Sequence, residues 1–454
     1  QRCNAVRAMG ILLDPYTGAI LSLACRPAFD PNRYWEASDD QRRNRAVLDS
    51  FEPGSTFKIV VAAAALEEGL IRPEDLVDCE NGWFRPFGRR IIRDFHKLGV
   101  VPFSLAFAES SNIAVIKLAA LLGEESLADW ISRFGFGQPT GLDFRPESVG
   151  LVRPLGQWSR ASIVSLPIGQ ELSVTAVQVA RAFCAIANGG YLVTPHLVER
   201  VIDEEGKTIY EFRPGQPRRI LHERTTQTLR DLCHGVVTLG TGAYANISEY
   251  RVGGKTGTAQ IAKPDGSGYY KDRYITLFAG FAPVSRPALC GVIVVDEPKI
   301  RLHYGGYVCG PAFRKVVRQA LIRGECPQDP LQEPVKQLPQ LAEDADTVLI
   351  REAIEAFEPS RAEALVSLEN LQLLAIKPDP SNDAPRLPSL MGMTKRQARE
   401  ALAALGLPWT VRNSGWVVYQ DPPPGTPLYE VSVCRLVCSN RRLPQQDNDR
   451  SDGV

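Results

Sequence analysis

Two apolar runs open the chain. Gly10-Ile-Leu-Leu-Asp and Ala-Ile-Leu-Ser-Leu-Ala-Cys25 flank Pro15-Tyr-Thr-Gly18. Pro15 presets φ and Gly18 accepts a left-handed conformation, so the stretch predicts a β-hairpin. From Ser55 the period becomes helical: Phe57, Val60, Val61, Ala64 and Ala65 fall on one stripe, and Gly69 is the stop signal. This element begins a mostly helical region expected from about Gly54 to Gly240. Strand patterns return in Lys255–Ala262 (KTGTAQIA), Ile275–Pro283 (ITLFAGFAP) and Leu289–Glu297 (LCGVIVVDE), the last two joined by a turn at Val284-Ser-Arg-Pro287. A closing helix is expected from about Pro311 to Arg323, with Phe313, Val316, Val317, Ala320 and Leu321 on its packed side.

Strands at both ends with helices between them predict one α+β domain whose terminal pieces share an antiparallel sheet, over residues 1–325. Residues 326–385 are rich in Pro, Glu, Asp and Gln and read as a linker. Within it Ile350, Ala353, Ile354 and Phe357 fit a short amphipathic helix. A compact module follows over 386–440. Thr394-Lys-Arg-Gln397 fits a capping box, and Ala398, Ala401, Leu402 and Leu405 form a helical stripe ending at Gly406. Strand-like Trp416-Val-Val-Tyr419 and Val431-Ser-Val-Cys-Arg-Leu-Val437 come after, separated by Asp421-Pro-Pro-Pro-Gly-Thr-Pro427. The tail, 441–454, has the composition of a disordered segment.

Composition narrows the function. A chain of 454 residues exceeds one ordinary core, and 44% apolar with 23% charged residues is the balance of a soluble globular protein. Net charge is zero with no long basic run, so no nucleic-acid partner is expected. The longest purely apolar run, Ile59 to Leu66, is far short of a membrane span. The ten cysteines show no metal spacing, and Cys434 and Cys438, about 13 Å apart along a strand, cannot pair. His96, His196, His222, His234 and His303 are isolated, so no metal, cofactor or catalytic histidine is expected.

The stretch Gly253-Gly-Lys-Thr-Gly-Thr-Ala-Gln260 admits two readings. A nucleotide-binding P-loop needs a glycine where Glu249 stands, and it should run into a helix rather than a strand-like segment. The second reading, a carboxylate-binding Lys-Thr-Gly strand, needs partners. Ser55 and Lys58 supply one: three residues apart on a helix, they share a face, and Ser55 at the helix start gains from free N–H groups and the dipole. Ser110 and Asn112 supply another, a hydroxyl and an amide placed two apart on a loop before an apolar helix. Each motif alone is cheap: roughly one or two Ser-x-x-Lys matches are expected by chance at this length. Together and in order, Ser-x-x-Lys, Ser-x-Asn and Lys-Thr-Gly form the signature of serine β-lactamases and penicillin-binding proteins.

Longer stretches carry the resemblance further: DPYTGAILSLACRPAFDPN, RNRAVLDSFEPGSTFK, ESSNIAVIKLA, FGFGQPTGLDF, GQELSVTAVQVARAFCAIANGG, VGGKTGTAQ and GFAPVSRPALCGVIVVDEP before YGG. Over roughly residues 8–324 the chain resembles a class B penicillin-binding protein, a peptidoglycan D,D-transpeptidase, and more its division and sporulation branch than its elongation branch. The C-terminal module resembles a PASTA domain, which implies a small βαβ unit. Cys309 stands where the family has a small residue such as alanine. Family members usually begin with a membrane helix and a pedestal domain, neither present in this sequence. The resemblance therefore implies a place at the cytoplasmic membrane, with the catalytic domain on the periplasmic side and an anchor missing from this chain.

The resemblance also implies roles. Ser55 attacks the penultimate D-Ala carbonyl of a stem peptide, and Lys58 takes its proton. Ser110 with Lys255 relays a proton to the departing D-Ala, and Asn112 contacts the substrate amide. Thr256, Gly257 and Thr258 form the substrate-binding strand. The two threonines hold the terminal carboxylate, and the N–H groups of Ser55 and Thr258 form the oxyanion hole. Implied partners are peptidoglycan stem peptides, β-lactams as covalent inhibitors, and membrane-bound division machinery. A free lysine is a poor base at neutral pH, and the helix dipole, Lys255 and burial all disfavour a charged Lys58. Three alternatives stay open: a D,D-carboxypeptidase, a β-lactamase or β-lactam sensor on the same fold, and a non-catalytic wall-binding protein acting through the module. No Glu-x-x-x-Asn segment follows Asn112 to activate a deacylating water, which disfavours a class A β-lactamase.

Overall fold

The computed structural model describes residues 3–329 and 387–439, except 88, 89, 214, 264, 267, 392, 406, 408, 413–415, 423, 425, 427 and 429–433. The linker helix expected at Ile350–Phe357, the stop signal Gly406 and the tail lie outside the described residues.

The opening hairpin forms as the two apolar runs and the turn between them predict. Strand β1 (Arg7–Leu13) pairs antiparallel with β2 (Ile20–Arg26), and the turn is closed by Asp14, whose carboxylate accepts from the N–H of Tyr16. Three late strands join it: β3 (Gly253–Ala262), β4 (Tyr269–Ala282) and β5 (Leu289–Asp296), in the order β3-β4-β5-β1-β2, all antiparallel. Terminal pieces of the domain thus share one sheet. The sheet is apolar on both faces. Ile11, Leu13, Leu277, Ala279, Phe281, Val292 and Val294 belong to one core cluster, while Leu12, Phe278, Ala282, Leu289 and Val295 belong to another. Covering both faces explains why β5 reads as an unbroken apolar run rather than an alternating one.

Helices supply the two covers. On the first face pack α1 (Lys58–Glu67), α2 (Phe103–Ala108), α3 (Asn112–Arg133, broken at Gly123), α4 (Ala176–Ala187) and α5 (Glu223–Thr238). Every residue of α1 from Lys58 to Ala65 is buried, as expected of a helix apolar on all sides. The region between Gly54 and Gly240 is less purely helical than its pattern suggests. Short strand pairs interrupt it, among them Leu76–Asp78 with Val100–Pro102 and Trp83–Phe84 with Ile92–Arg93.

The second face is covered by α6 (Gly305–Arg323), which begins six residues before the expected start at Pro311. Proline at a first helical position is a start signal, but here it sits inside the helix and removes one i→i−4 donor. The earlier start brings Gly305 against β3, where an added Cβ would lie 2.4 Å from the Gly257 oxygen. Phe313, Val317 and Leu321 are buried as expected, whereas Val316 is 40% exposed and faces outward.

The C-terminal unit stands by itself. Thr394 caps α7 (Lys395–Ala404) in a capping box with Gln397, and Ala398 and Leu402 are buried while Leu405 is exposed. Strands β6 (Trp409–Arg412), β7 (Trp416–Asp421) and β8 (Cys434–Ser439) form a sheet in the order β6-β8-β7. Among the described residues the helix precedes all three strands, and the strand expected ahead of it reduces to a bridge between Thr394 and Trp416. Cys434 and Cys438 are free thiols.

Hydrogen bonds of the larger unit continue past Gly324. The Tyr250 hydroxyl donates to the Cys326 carbonyl (3.1 Å), and the buried Asp329 carboxylate accepts from the Arg251 N–H (2.8 Å) and from the Ser285 hydroxyl. Asp329→Ala is therefore expected to cost about 1–3 kcal/mol, because it removes a buried charged acceptor from two part-buried donors. Thermal unfolding should show the transition of this unit roughly 2–4 °C lower or more; an unchanged midpoint would mean the segment is not part of the fold.

Candidate active site

The chain enters the cleft between α1 and β3 through Glu52-Pro-Gly-Ser-Thr-Phe-Lys58. Gly54 to Phe57 form one 3₁₀ turn that runs into α1, which puts Ser55 one turn before the helix and Lys58 at its first residue. Gly54 has φ of +52°, and a Cβ on it would lie 3.0 Å from the Thr258 oxygen, so a side chain here would push the Ser55 turn off β3. Glu52 anchors the turn from the other side: its carboxylate accepts from the Glu171 N–H (2.9 Å) and the Tyr269 hydroxyl (3.0 Å). Ser55 is partly exposed, and among the described residues its hydroxyl makes no hydrogen bond.

Both sequence-predicted lysines are fully buried, and they share one hydroxyl. Ser110 Oγ lies 2.8 Å from Lys255 Nζ and 3.2 Å from Lys58 Nζ. Lys58 Nζ also donates to Asn112 Oδ1 (2.7 Å) and to the Ser110 carbonyl. Ser110 reaches this place by adopting φ of +61°, a left-handed conformation that costs a non-glycine residue strain. Asn112 is not a loop residue as expected. Ser111 is the N-cap, accepting from the Ala114 N–H, and Asn112 is the first residue of α3.

Burial is the first cause of the low basicity of these lysines. It pushes Lys58 well below the ordinary lysine value, with Lys255 adding to the effect and Asp94 and Cys79 opposing it. Burial likewise pushes Lys255 down to about 7, against the pull of Cys233 and Glu109. The polar contacts around Lys58 fit a neutral amine. Two N–H bonds go to the Ser110 and Asn112 carbonyl oxygens, and the lone pair is left for a hydroxyl proton.

Lys255-Thr-Gly lies in the sheet's edge strand, not in a phosphate loop followed by a helix. Thr258 Oγ1 accepts from the Gly305 N–H (3.1 Å), and Thr256 Oγ1 lies 2.6 Å from Thr241 Oγ1. If Thr241 donates, both strand threonines have an acceptor role filled and keep their own protons for a ligand carboxylate. Gly257 admits no Cβ, which would sit 2.7 Å from the Pro53 oxygen. All eight sequence-predicted residues thus come together in one cleft.

Sequence reasoning missed Thr241, Gly305 and the segment Arg93–His96. Thr241 stands between two glycines after α5, the one local hint of a close approach. Asp94 and His96 reach Asn112 and Glu109 respectively, contacts far apart in sequence that no local pattern reports.

Comparison with known proteins agrees with this geometry. The sequence profile described as penicillin binding protein transpeptidase domain matches residues 8–318, and that of the PASTA domain matches 385–437. Penicillin-binding protein PbpB of Mycolicibacterium smegmatis is 35% identical over 339 residues, covering 72% of this chain and 52% of that one. Stage V sporulation protein D of Bacillus subtilis is 36% identical over 318 residues, covering 69% and 49%. The chain thus spans about half the length of the curated relatives it matches. Among solved structures, penicillin-binding protein 3 of Mycobacterium tuberculosis, complexed with ampicillin, superposes with a TM-score of 0.68 at 33% identity, covering 74% of this chain and 77% of that one.

The buried lysines carry a stability consequence. A lysine whose folded value lies near 7 rather than 10.5 destabilises the fold at every pH below about 7, by about 1.4 kcal/mol per unit of displacement. The penalty fades between pH 7 and 10.5 and is absent above, where both states are neutral. Lys255→Met, which keeps the bulk and removes the amine, is therefore expected to unfold at higher temperature than the wild type at pH 7. The gain should shrink as pH rises toward 10.5. Equal melting temperatures at pH 7 would show that Lys255 is not held against its charge.

Proposed function

The chain belongs to the penicillin-binding protein transpeptidase family, and from that premise we propose that it cross-links peptidoglycan stem peptides through an acyl-enzyme on Ser55. The observation that carries the proposal is the Ser110 hydroxyl held between two buried lysines beside the nucleophile turn. Ser55 Oγ attacks the penultimate D-Ala carbonyl while its proton passes to the Lys58 amine. The C–N bond to the terminal D-Ala breaks, and that amine takes a proton through Ser110 and Lys255. An amine of a second stem peptide then attacks the ester, the bond to Ser55 Oγ breaks, the proton lost by that amine passes through Lys58 to Ser55 Oγ, and the cross-link is left. Asn112 contacts the substrate amide, and Thr256 and Thr258 bind the terminal carboxylate. The N–H groups of Ser55 and Thr258 form the oxyanion hole, each worth roughly 3 kcal/mol. No metal or cofactor takes part in the proposed reaction.

β-Lactams enter as substrate mimics whose ring amide acylates Ser55 and whose leaving group stays tethered. Slow release is expected, because among the described residues no carboxylate hydrogen-bonds the Ser55 hydroxyl to position a water there. Glu52 Oε1 accepts from Glu171 N–H and Tyr269, Glu171 accepts from Ser162, Glu109 lies on His96 and Asp94 on the start of α3. A water without a positioned base forgoes a factor of roughly 10²–10⁴. The proposed setting is the extracytoplasmic face of the membrane, among division or sporulation partners, with the PASTA module binding wall material. Among the described residues no helix is long and apolar enough to cross a membrane.

Labelled penicillin followed by digestion and mass spectrometry tests the assignment. A single adduct on Ser55, absent from Ser55→Ala and persisting for minutes, is the expected result. Label on another residue would overturn the nucleophile. Hydrolysed penicillin accumulating beyond one equivalent within seconds would move the chain to the β-lactamase class.

A further inference from the structure

The segment Arg93-Asp-Phe-His96 lies alongside Glu109-Ser-Ser-Asn112 in reversed order. His96 Nδ1 is 2.6 Å from Glu109 Oε2. Asp94 accepts from the Ser111 hydroxyl (2.5 Å), the Asn112 N–H (2.6 Å) and the Ile113 N–H (3.2 Å). The Arg93 carbonyl accepts from Asn112 Nδ2 (2.8 Å). Between these anchors Phe95 turns away and meets Tyr304 at the head of α6 edge to face, with ring centroids 5.0 Å apart.

Ser111 caps α3 through the Ala114 N–H, and Asp94 takes the Asn112 and Ile113 N–H groups that Ser111 leaves open. Capping from another segment also fixes where the side chain of the first helical residue stands, and the consequence is visible in Asn112. Its amide could face either way, and one orientation satisfies both neighbours: Nδ2 on the Arg93 carbonyl and Oδ1 on Lys58 Nζ. A flipped amide would set oxygen against oxygen and N–H against N–H. Charge points the same way. A proton taken up by Lys58 or Lys255 adds positive charge beside the N-terminal end of α3, and a carboxylate there offsets it. The titratable groups acting on Lys58 are Lys255 from β3, Cys79 just after the short strand Leu76–Asp78, and Asp94, which is the carboxylate among them.

We propose that Asp94, with the Arg93 carbonyl, is a positioning residue for acylation: it fixes the Asn112 amide and the start of α3 so that Lys58 keeps its place against the Ser110 hydroxyl, one turn along from Ser55. The proposal rests on the acyl-enzyme reading above and acts through Asn112 and Lys58 rather than through substrate.

Two readouts on the full chain test it: the second-order rate of Ser55 labelling by fluorescent penicillin at pH 7, and the titration midpoint of Lys58 followed by NMR of ¹³Cε-labelled lysine. Asp94→Asn removes the charge and an acceptor at nearly constant shape. Labelling is expected to fall 10–100-fold, and the Lys58 midpoint to move to lower pH because its nearby negative charge is gone. A structural role alone would lower the melting temperature without moving that midpoint. Asp94→Glu covers the case in which the asparagine variant does not fold: the charge remains but the carboxylate is displaced, so labelling should fall several-fold with the midpoint near the wild-type value. Labelling within twofold of wild type in either folded variant, or an unmoved Lys58 midpoint in Asp94→Asn, would overturn the proposal. If the wild type takes no penicillin, the acyl-enzyme reading fails, while the Lys58 midpoint still decides whether Asp94 acts on Lys58.

Discussion

Two lysine amines, both withdrawn from water, converge on one serine hydroxyl, and most of the larger domain is arranged to allow this. Water would hold each amine protonated and useless as a base at neutral pH. Removing it lowers the basicity of Lys58 and Lys255, and on the proposed reading the two then exchange a proton through the Ser110 hydroxyl they share. The arrangement destabilises the fold, and the surrounding core has to outweigh that cost. A helix buried on every side carries Lys58, and the edge strand of a sheet covered on both faces carries Lys255.

Close backbone approach is the second requirement. The nucleophile turn, β3 and the head of α6 stack with no room for side chains, and Gly54, Gly257 and Gly305 stand at the contacts. This stacking places the Ser55 turn beside Thr258 while Gly305 donates to the Thr258 hydroxyl. The third wall, Ser110 to Asn112, is held by contacts from Arg93 to His96, so the site depends on a segment with no motif of its own.

Legibility in the sequence follows the range of the interactions. Short apolar runs bounded by turn signals located the hairpin and β3 to β5, and helical spacing located α1, because each depends on neighbours a few residues away. The three motifs were legible because their chemistry fixes residue types at short spacing, and the longer family resemblance ordered them in one domain. Pro311 misplaced the start of α6: the local signal was a helix start, but packing of Gly305 and Gly306 against β3 and Thr241 extends the helix backward past it. Val316 looked like core because it sits beside Val317, yet the helix turns it outward. Asp94 and His96 were not legible at all, and Thr241 only through the glycines on either side of it. Each acts through a partner 13 to 18 residues away, a distance at which a single sequence has no periodicity to report.

Burial of the two amines is the central claim, and the pH dependence of Ser55 acylation by penicillin tests it most directly. The second-order rate constant, measured on the wild type across its range of folded pH, should already be near its plateau at pH 7 to 8, with the acid limb falling well below the ordinary lysine value of 10.5. A rate that keeps rising tenfold per pH unit up to about pH 10 would mean that the base titrates like a solvated lysine, and would contradict the account.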